Sequence, residues 1–165
     1  MSFSPVPRYS FRNVTDIAPD FLKERGIKFL MVDLDNTLAA YGQTKLTDAV
    51  SKWADHMKNS GIELYIISNT LKKERVASFA QQLVVESISG AGKPSPKGIL
   101  SAMNAMGYEA GESALAGDQI LTDTLAANSA GVLSILLRPI RCQNPFLAIR
   151  YMLEAPFRLA CKNRM

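Results

Sequence analysis

The chain has 165 residues, 47% of them hydrophobic and 21% charged, enough for one domain with a substantial core and too few for two ordinary ones. This composition excludes intrinsic disorder, and no apolar run approaches the roughly 20 residues of a membrane-spanning helix. The net charge of +4 sits at the ends: residues 138–165 carry six basic side chains against Glu154 alone, and residues 1–28 carry five against three acidic ones. The body between them is net acidic. One histidine, and no cysteine pair at ligand spacing, argue against a zinc site. Cys142 and Cys161 lie close together near the C-terminus, where a disulfide would staple only the tail. The opening Met1-Ser2-Phe3-Ser4-Pro5-Val6-Pro7-Arg8 lacks the charged-then-apolar layout of a secretory signal, so a cytoplasmic location is expected.

In chain order, Phe29-Leu30-Met31-Val32 predicts a buried strand that ends abruptly at Asp33. Leu46, Val50, Trp53, Ala54 and Met57 recur at helical spacing, and Gly61 ends that helix. His56 falls on its surface. Leu64–Ile67 is the next buried run, leading into Ser68-Asn69-Thr70 and a helix from about 72 to 83. A weaker strand is expected over Val84–Ile88, followed by the Gly-rich loop around Lys93. Pro96 suits the first turn of a helix running to Met106, where Gly107 stops it. Ser113–Gly117 predicts a strand ending at Asp118, Thr122–Ala130 a helix closed by Gly131, and Val132–Leu137 the last strand. Strands alternating with helices of about ten residues predict one α/β domain over 1–165, with a central parallel sheet covered on both faces.

In such sheets ligands bind at the C-terminal strand ends, and there the polar residues collect. Asp33-Leu34-Asp35-Asn36-Thr37, Ser68-Asn69 and Asp118 each follow an apolar run, and Lys93 follows the weaker one. Two carboxylates two residues apart face one side of an extended chain, and their repulsion invites a divalent cation, for which oxygen donors suit Mg²⁺. A metal-neutralised carboxylate can attack phosphorus, while a second carboxylate protonates the leaving oxygen and then activates water. Lys93 supplies a point positive charge for phosphate, and Ser68 a hydroxyl. Asp118 can complete a metal site, with Thr122 or Asp123 capping the following helix. Each motif alone has an ordinary explanation. A DxD pair is commonly a solvated turn, Ser-Asn a strand-ending turn, Lys93-Pro94 a surface loop and Asp123 a helix-terminal charge. Their convergence on one sheet edge carries the argument.

These residues resemble the haloacid dehalogenase (HAD) superfamily. The DxDxT motif matches Asp33-Leu34-Asp35-Asn36-Thr37, the second motif Ser68, the third Lys93, and the acidic fourth Gly117-Asp118 through Thr122-Asp123. The segments DLDNTL, ISN, GKP and GDQ-x-x-TD are similar to the YqeG-type branch of HAD subfamily IIIA, related to phosphatidylglycerophosphate phosphatases. The resemblance implies a three-layer Rossmann-like fold and Mg²⁺-dependent phosphomonoester hydrolysis through an aspartyl-phosphate. It makes Asp33 the nucleophile and a metal ligand, and Asp35 the general acid/base, with its backbone carbonyl on the metal. Ser68, Asn69 and Lys93 would hold the phosphoryl group, Asp118 would be a metal ligand, and Thr37 and Asp123 would support the site. The spacings from Thr37 to Ser68 and from Ser68 to Lys93 leave no room for a sizeable cap domain. The branch resemblance points to phosphatidylglycerophosphate; a soluble sugar phosphate or nucleotide is the rival substrate, and a non-catalytic phosphate- or partner-binding module the rival role. An acid/base at Asp35 disfavours the last. No aromatic-basic interleaving points to nucleic acid, and the sequence leaves the oligomeric state open.

The tail, about 141–165, is basic and amphipathic. Asn144-Pro145 resembles a helix cap and first turn, and Phe146, Ile149, Leu153 and Phe157 lie at helical spacing opposite Arg150, Glu154 and Arg158. Pro156 is expected to break or kink it. Two placements follow: the apolar face packs on the domain edge, or the tail touches an anionic membrane surface as a peripheral contact.

Overall fold

The computed structural model describes residues 4–141 and 145–161. Among them six strands form one parallel sheet: β1 (Tyr9–Ser10), β2 (Phe29–Val32), β3 (Glu63–Ile67), β4 (Glu86–Ile88), β5 (Ser113–Gly117) and β6 (Leu133–Leu136), in the order β1-β6-β5-β2-β3-β4. The helices are α1 (Pro19–Lys23), α2 (Asp48–Asn59), α3 (Lys73–Leu83), α4 (Lys97–Met106), α5 (Leu125–Ala130) and α6 (Pro145–Ala160).

Strand alternation divides the core in two. Leu30 and Val32 of β2, with Leu64 and Ile66 of β3 and Ala114 and Ala116 of β5, face a cluster built from α1, α2 and α3. Phe29, Met31, Tyr65, Ile67 and Leu115 face the opposite cluster, against α4 and α5. The two-residue period of a strand allows this only if both faces are covered, which is why β2 reads as four consecutive apolar residues. Burying each such side chain stabilises the fold by about 1.5–3 kcal/mol before chain entropy is counted. The result is a three-layer α/β/α fold of the expected Rossmann-like type. Only a loop, α2 and β3 lie between Thr37 and Ser68, and only α3 and β4 between Ser68 and Lys93. No cap domain is inserted at either place.

The strand placing Asp33 is pinned on both sides. Leu30 pairs with Leu64 of β3 and with Ala114 of β5, and Val32 with Ile66 and Ala116. Since the strands are parallel and in step, Asp33, Ser68 and Asp118 leave the sheet at the same edge.

Several elements differ from the sequence reading. Val84 is not in a strand: it ends α3 in a left-handed conformation (φ 54°), is 81% exposed, and β4 starts only at Glu86. The helix expected from Thr122 is a π-helical turn over Ile120–Thr124 that becomes regular helix at Leu125. Neither β1 nor α1 was anticipated, being too short to show a period. α6 continues through Pro156 to Ala160. Its proposed cap Asn144, like Cys142, Lys162 and Arg164, lies outside the described residues. Gly107 stops α4 as expected, at φ 76°, a conformation that penalises a side chain.

Candidate active site

At the C-terminal end of β2, Asp33 is 7% exposed and forms an ion pair with Lys93 (Oδ1 to Nζ, 2.6 Å). Lys93 reaches it from the loop after β4 and is itself buried. Its ammonium also forms an ion pair with Asp123 Oδ1 at 2.6 Å and donates to the Ile67 carbonyl at 3.0 Å. Asn69 fixes this lysine from behind. Its amide donates to the Lys93 carbonyl and accepts from the Lys93 N–H, both at 2.8 Å. Ser68, 2% exposed, follows β3 and accepts from the Thr70 N–H at 3.2 Å.

Asp118 is fully buried beyond β5. Its Oδ1 lies 3.5 Å from Thr37 Oγ1, and Oδ2 accepts a short hydrogen bond from the Tyr151 hydroxyl. Asp123 sits in the π-helical turn, 3% exposed, where Oδ2 accepts from the Gln119 N–H at 3.1 Å. The turn is held against β5 by the absence of a side chain at Gly117: a Cβ there would lie 2.4 Å from Asp123 Cγ. Read from the sequence as a supporting residue, Asp123 stands at the centre. Asp33, Asp118 and Asp123 each offer a carboxylate oxygen, and these oxygens lie within 4.8 Å of one another.

Asp35 is not part of that trio and is half-buried. Arg75 of α3 grips its Oδ1 through Nε (3.2 Å) and Nη2 (2.8 Å), and also donates from Nη1 to the Gln43 carbonyl. The arginine thus ties Asp35 to the loop after Thr37. Asp33, Asp35, Ser68, Asn69, Lys93 and Asp123 line a cavity of about 290 Å³, joined by Tyr41, Thr70, Gln119 and Thr122.

The electrostatics are unbalanced, with three buried carboxylates facing one ammonium. Burial raises the Asp33 carboxyl to about 7; Lys93 pulls it down, and Asp123 and Asp35 push it up again. Asp118 rises to about 8, through burial and then the charges of Asp123 and Asp33, against the opposing Tyr151 hydrogen bond. Lys93 is raised, because Asp123 and Asp33 outweigh the burial that would lower it. A divalent cation among the carboxylates would remove this imbalance, and an all-oxygen donor set is what Mg²⁺ takes. The residues present fit such an ion.

Comparison with known proteins agrees with this geometry. The family described as haloacid dehalogenase-like hydrolase matches residues 11–131. This chain belongs to the haloacid dehalogenase-like hydrolases. Among HAD relatives, "Probable phosphatase YqeG" of Bacillus subtilis (strain 168) is 34% identical over 142 residues, covering 86% of this chain and 82% of that protein. Two solved structures share this fold. The cobalt-bound deoxy-D-mannose-octulosonate 8-phosphate phosphatase from Haemophilus influenzae superposes with TM-score 0.60 at 16% identity, covering 87% of this chain and 80% of that one. The 3-deoxy-D-manno-octulosonate 8-phosphate phosphatase from Moraxella catarrhalis, in complex with magnesium ion, phosphate ion and KDO, gives 0.55 at 21%, covering 87% and 78%.

The sequence reading missed Arg75 and Tyr151. Arg75 reads as an ordinary surface charge on α3, and Tyr151 lies in the tail, far from any motif. The tail helix packs on the domain edge, one of its two expected placements, but through its polar face. Ile149 and Leu153 of the supposed packing face are 58% and 66% exposed, whereas Glu154 is fully buried and Arg158 reaches the Asp118 carbonyl at 2.5 Å.

Proposed function

We propose that this chain is a Mg²⁺-dependent phosphomonoester hydrolase working through an aspartyl-phosphate on Asp33. The carrying observation is the meeting of Asp33 with Lys93, Asp118 and Asp123 at one sheet edge, open to the cavity that Asp35 also lines. Membership in the HAD-like hydrolases and the relative named as a probable phosphatase support it.

In this reading an Asp33 carboxylate oxygen attacks phosphorus. The P–O bond to the leaving alcohol breaks as Asp35 gives that oxygen a proton. Asp35 then takes a proton from water, whose oxygen attacks the same phosphorus; the acyl-phosphate bond breaks, and inorganic phosphate and free Asp33 return. Asp33, Asp118 and Asp123 would hold Mg²⁺, with the Asp35 backbone carbonyl as a further ligand, and the ion supplies charge neutralisation for attack by an anion on an anion. Lys93 balances the charge of the nucleophile, and Arg75 holds the acid/base in the cavity lining. Ser68 lines the cavity within reach of the phosphoryl group, while Asn69 aims Lys93 at it.

For the substrate, we favour a lipid phosphate of the phosphatidylglycerophosphate type, engaged at the surface of a membrane. Three observations support this. No cap domain closes the site. Ile149, Met152, Leu153 and Leu159 of α6 are 58%, 74%, 66% and 71% exposed, and the C-terminal end is strongly basic, as an anionic bilayer surface requires. No described helix is long and apolar enough to cross a membrane, so such contact would be peripheral.

The test is Mg²⁺-dependent phosphate release from lipid phosphates in vesicles and from soluble sugar phosphates and nucleotides. Asp33→Asn should abolish turnover while the protein remains folded; retained activity sinks the mechanism. Preference for soluble substrates, together with no vesicle binding, rejects the lipid reading.

A further inference from the structure

The match to the HAD-like hydrolases ends at residue 131, yet Asp118 takes its hydroxyl partner from Tyr151, beyond that limit. Tyr151, Glu154 and Arg158 occupy positions i, i+3 and i+7 of α6, one face of the helix. Each is committed to the segment carrying the proposed metal ligands. The Tyr151 hydroxyl donates to Asp118 Oδ2. The Arg158 guanidinium donates to the Asp118 carbonyl at 2.5 Å and to Glu154 Oε2 at 2.7 Å, and lies 5.0 Å from the centre of the Tyr151 ring. Glu154, fully buried, accepts the Leu121 N–H at 3.1 Å, in the π-helical turn that presents Asp123.

We infer that α6 is a working part of the metal site, with Tyr151 the residue that orients the Asp118 carboxylate for the ion. A carboxylate at the end of a strand can rotate about its side chain. A hydroxyl fixed on one oxygen selects one rotamer, in which Asp118 offers a carboxylate oxygen within 4.8 Å of those of Asp33 and Asp123. Arg158 and Glu154 hold the backbone that follows that carboxylate, at the Asp118 carbonyl and the Leu121 N–H, so the ligands on β5 and on the turn keep their spacing. Partners of this kind typically change metal affinity by about 10- to 100-fold. Tyr151 is a positioning residue: it acts through Asp118 and is not among the residues that line the cavity. The inference rests on the proposed reading of Asp118 as a metal ligand.

The experiment is Mg²⁺ titration of the full chain, followed by thermal protection in the absence of substrate and then by turnover. Tyr151→Phe keeps the ring and its contact with Arg158 but loses the hydroxyl. It is expected to raise the Mg²⁺ concentration for half-maximal protection about tenfold, with turnover at saturating Mg²⁺ within a few-fold of the parent. Ala155→Gly, which loosens the same helix at an exposed position, should leave that midpoint unchanged. An unchanged midpoint in Tyr151→Phe, or an equal shift in Ala155→Gly, overturns the assignment. Should Tyr151→Phe fail to fold, Arg158→Lys is read the same way, with a several-fold rise expected and no rise overturning it. A parent protein that Mg²⁺ does not protect at all instead overturns the metal reading itself.

Discussion

Without metal, the protein should lose stability as pH rises from 5 to 7, the reverse of the usual behaviour of acidic residues. The perturbation is removal of divalent cations with EDTA. Asp33 and Asp118 are raised from 3.8 to about 7 and about 8 in the fold, chiefly by burial. Between those limits the folded chain holds protons that the unfolded chain has released. The stability these carboxyls contribute is therefore fully present below pH 3.8 and is lost as pH rises through their folded values. One such proton corresponds to about 1.4 kcal/mol per pH unit, two to about 2.7. Because both carboxyls share Asp123 as a neighbour, they titrate as a linked set, and the slope lies between those values. For a chain of this size that is a fall in Tm on the order of 3–10 °C per pH unit. In the proposed reading Mg²⁺ binds the ionised carboxylates, so its protective effect should grow over the same interval and flatten the profile. Thermal melts at pH 5, 6 and 7 and constant ionic strength, with EDTA or with saturating Mg²⁺, measure both. Asp118→Asn removes one titrating group and should roughly halve the EDTA slope. A Tm in EDTA that is flat or rises from pH 5 to 7 refutes the reasoning, as does Mg²⁺ protection that ignores pH.

Two further predictions follow from close contacts. Gly117→Ala places a Cβ 2.4 Å from Asp123 Cγ and 2.5 Å from its Oδ2, so Asp123 must move; expected are about 1–3 kcal/mol of lost stability in denaturant melts, together with weaker Mg²⁺ protection. Arg75→Gln releases Asp35 from its two nitrogen contacts and should lower kcat about 10- to 100-fold with little change in KM, as misplacement of a catalytic group does. Parent-like kcat there would remove Arg75 from the mechanism.

Much of the site could be read from the sequence because the sheet imposes it. A fully buried parallel strand must be apolar along its length, so the first polar residue after such a run marks the sheet edge. That logic places Asp33, Ser68 and Asp118, and the structure brings them together. It works less well for Lys93, which follows a three-residue strand with a half-buried pattern, and there the Gly-rich loop was the clue. What it could not supply was contact between distant segments. Arg75 and Asp35 are 40 positions apart, and Tyr151 and Asp118 are 33 apart; neither pair leaves a local signature. The π-helical turn was read as ordinary helix because five residues are too few to separate one helical period from another. Val84 failed for a different reason: a β-branched residue in the left-handed region defies local preference, so propensity pointed to strand.

The tail shows how a correct periodicity can be assigned to the wrong face. An amphipathic helix is ordinarily docked by its apolar stripe, and that stripe exists in α6. The surface it meets, however, is the broken end of β5 and a π-helical turn, where the Asp118 carbonyl and the Leu121 N–H are left without partners from regular secondary structure. Burying those groups against Leu or Ile would leave them unsatisfied, at a cost of about 1–3 kcal/mol each. Polar side chains that can reach them win the interface, and Glu154 is tolerated at full burial because Arg158 neutralises it and Leu121 uses its other oxygen. Ile149, Met152, Leu153 and Leu159 are left outward as a consequence. The packing on the domain and the proposed membrane contact then use opposite faces of one segment and do not compete. A bilayer that took up the outer face would leave the polar contacts to Asp118 and Leu121 intact.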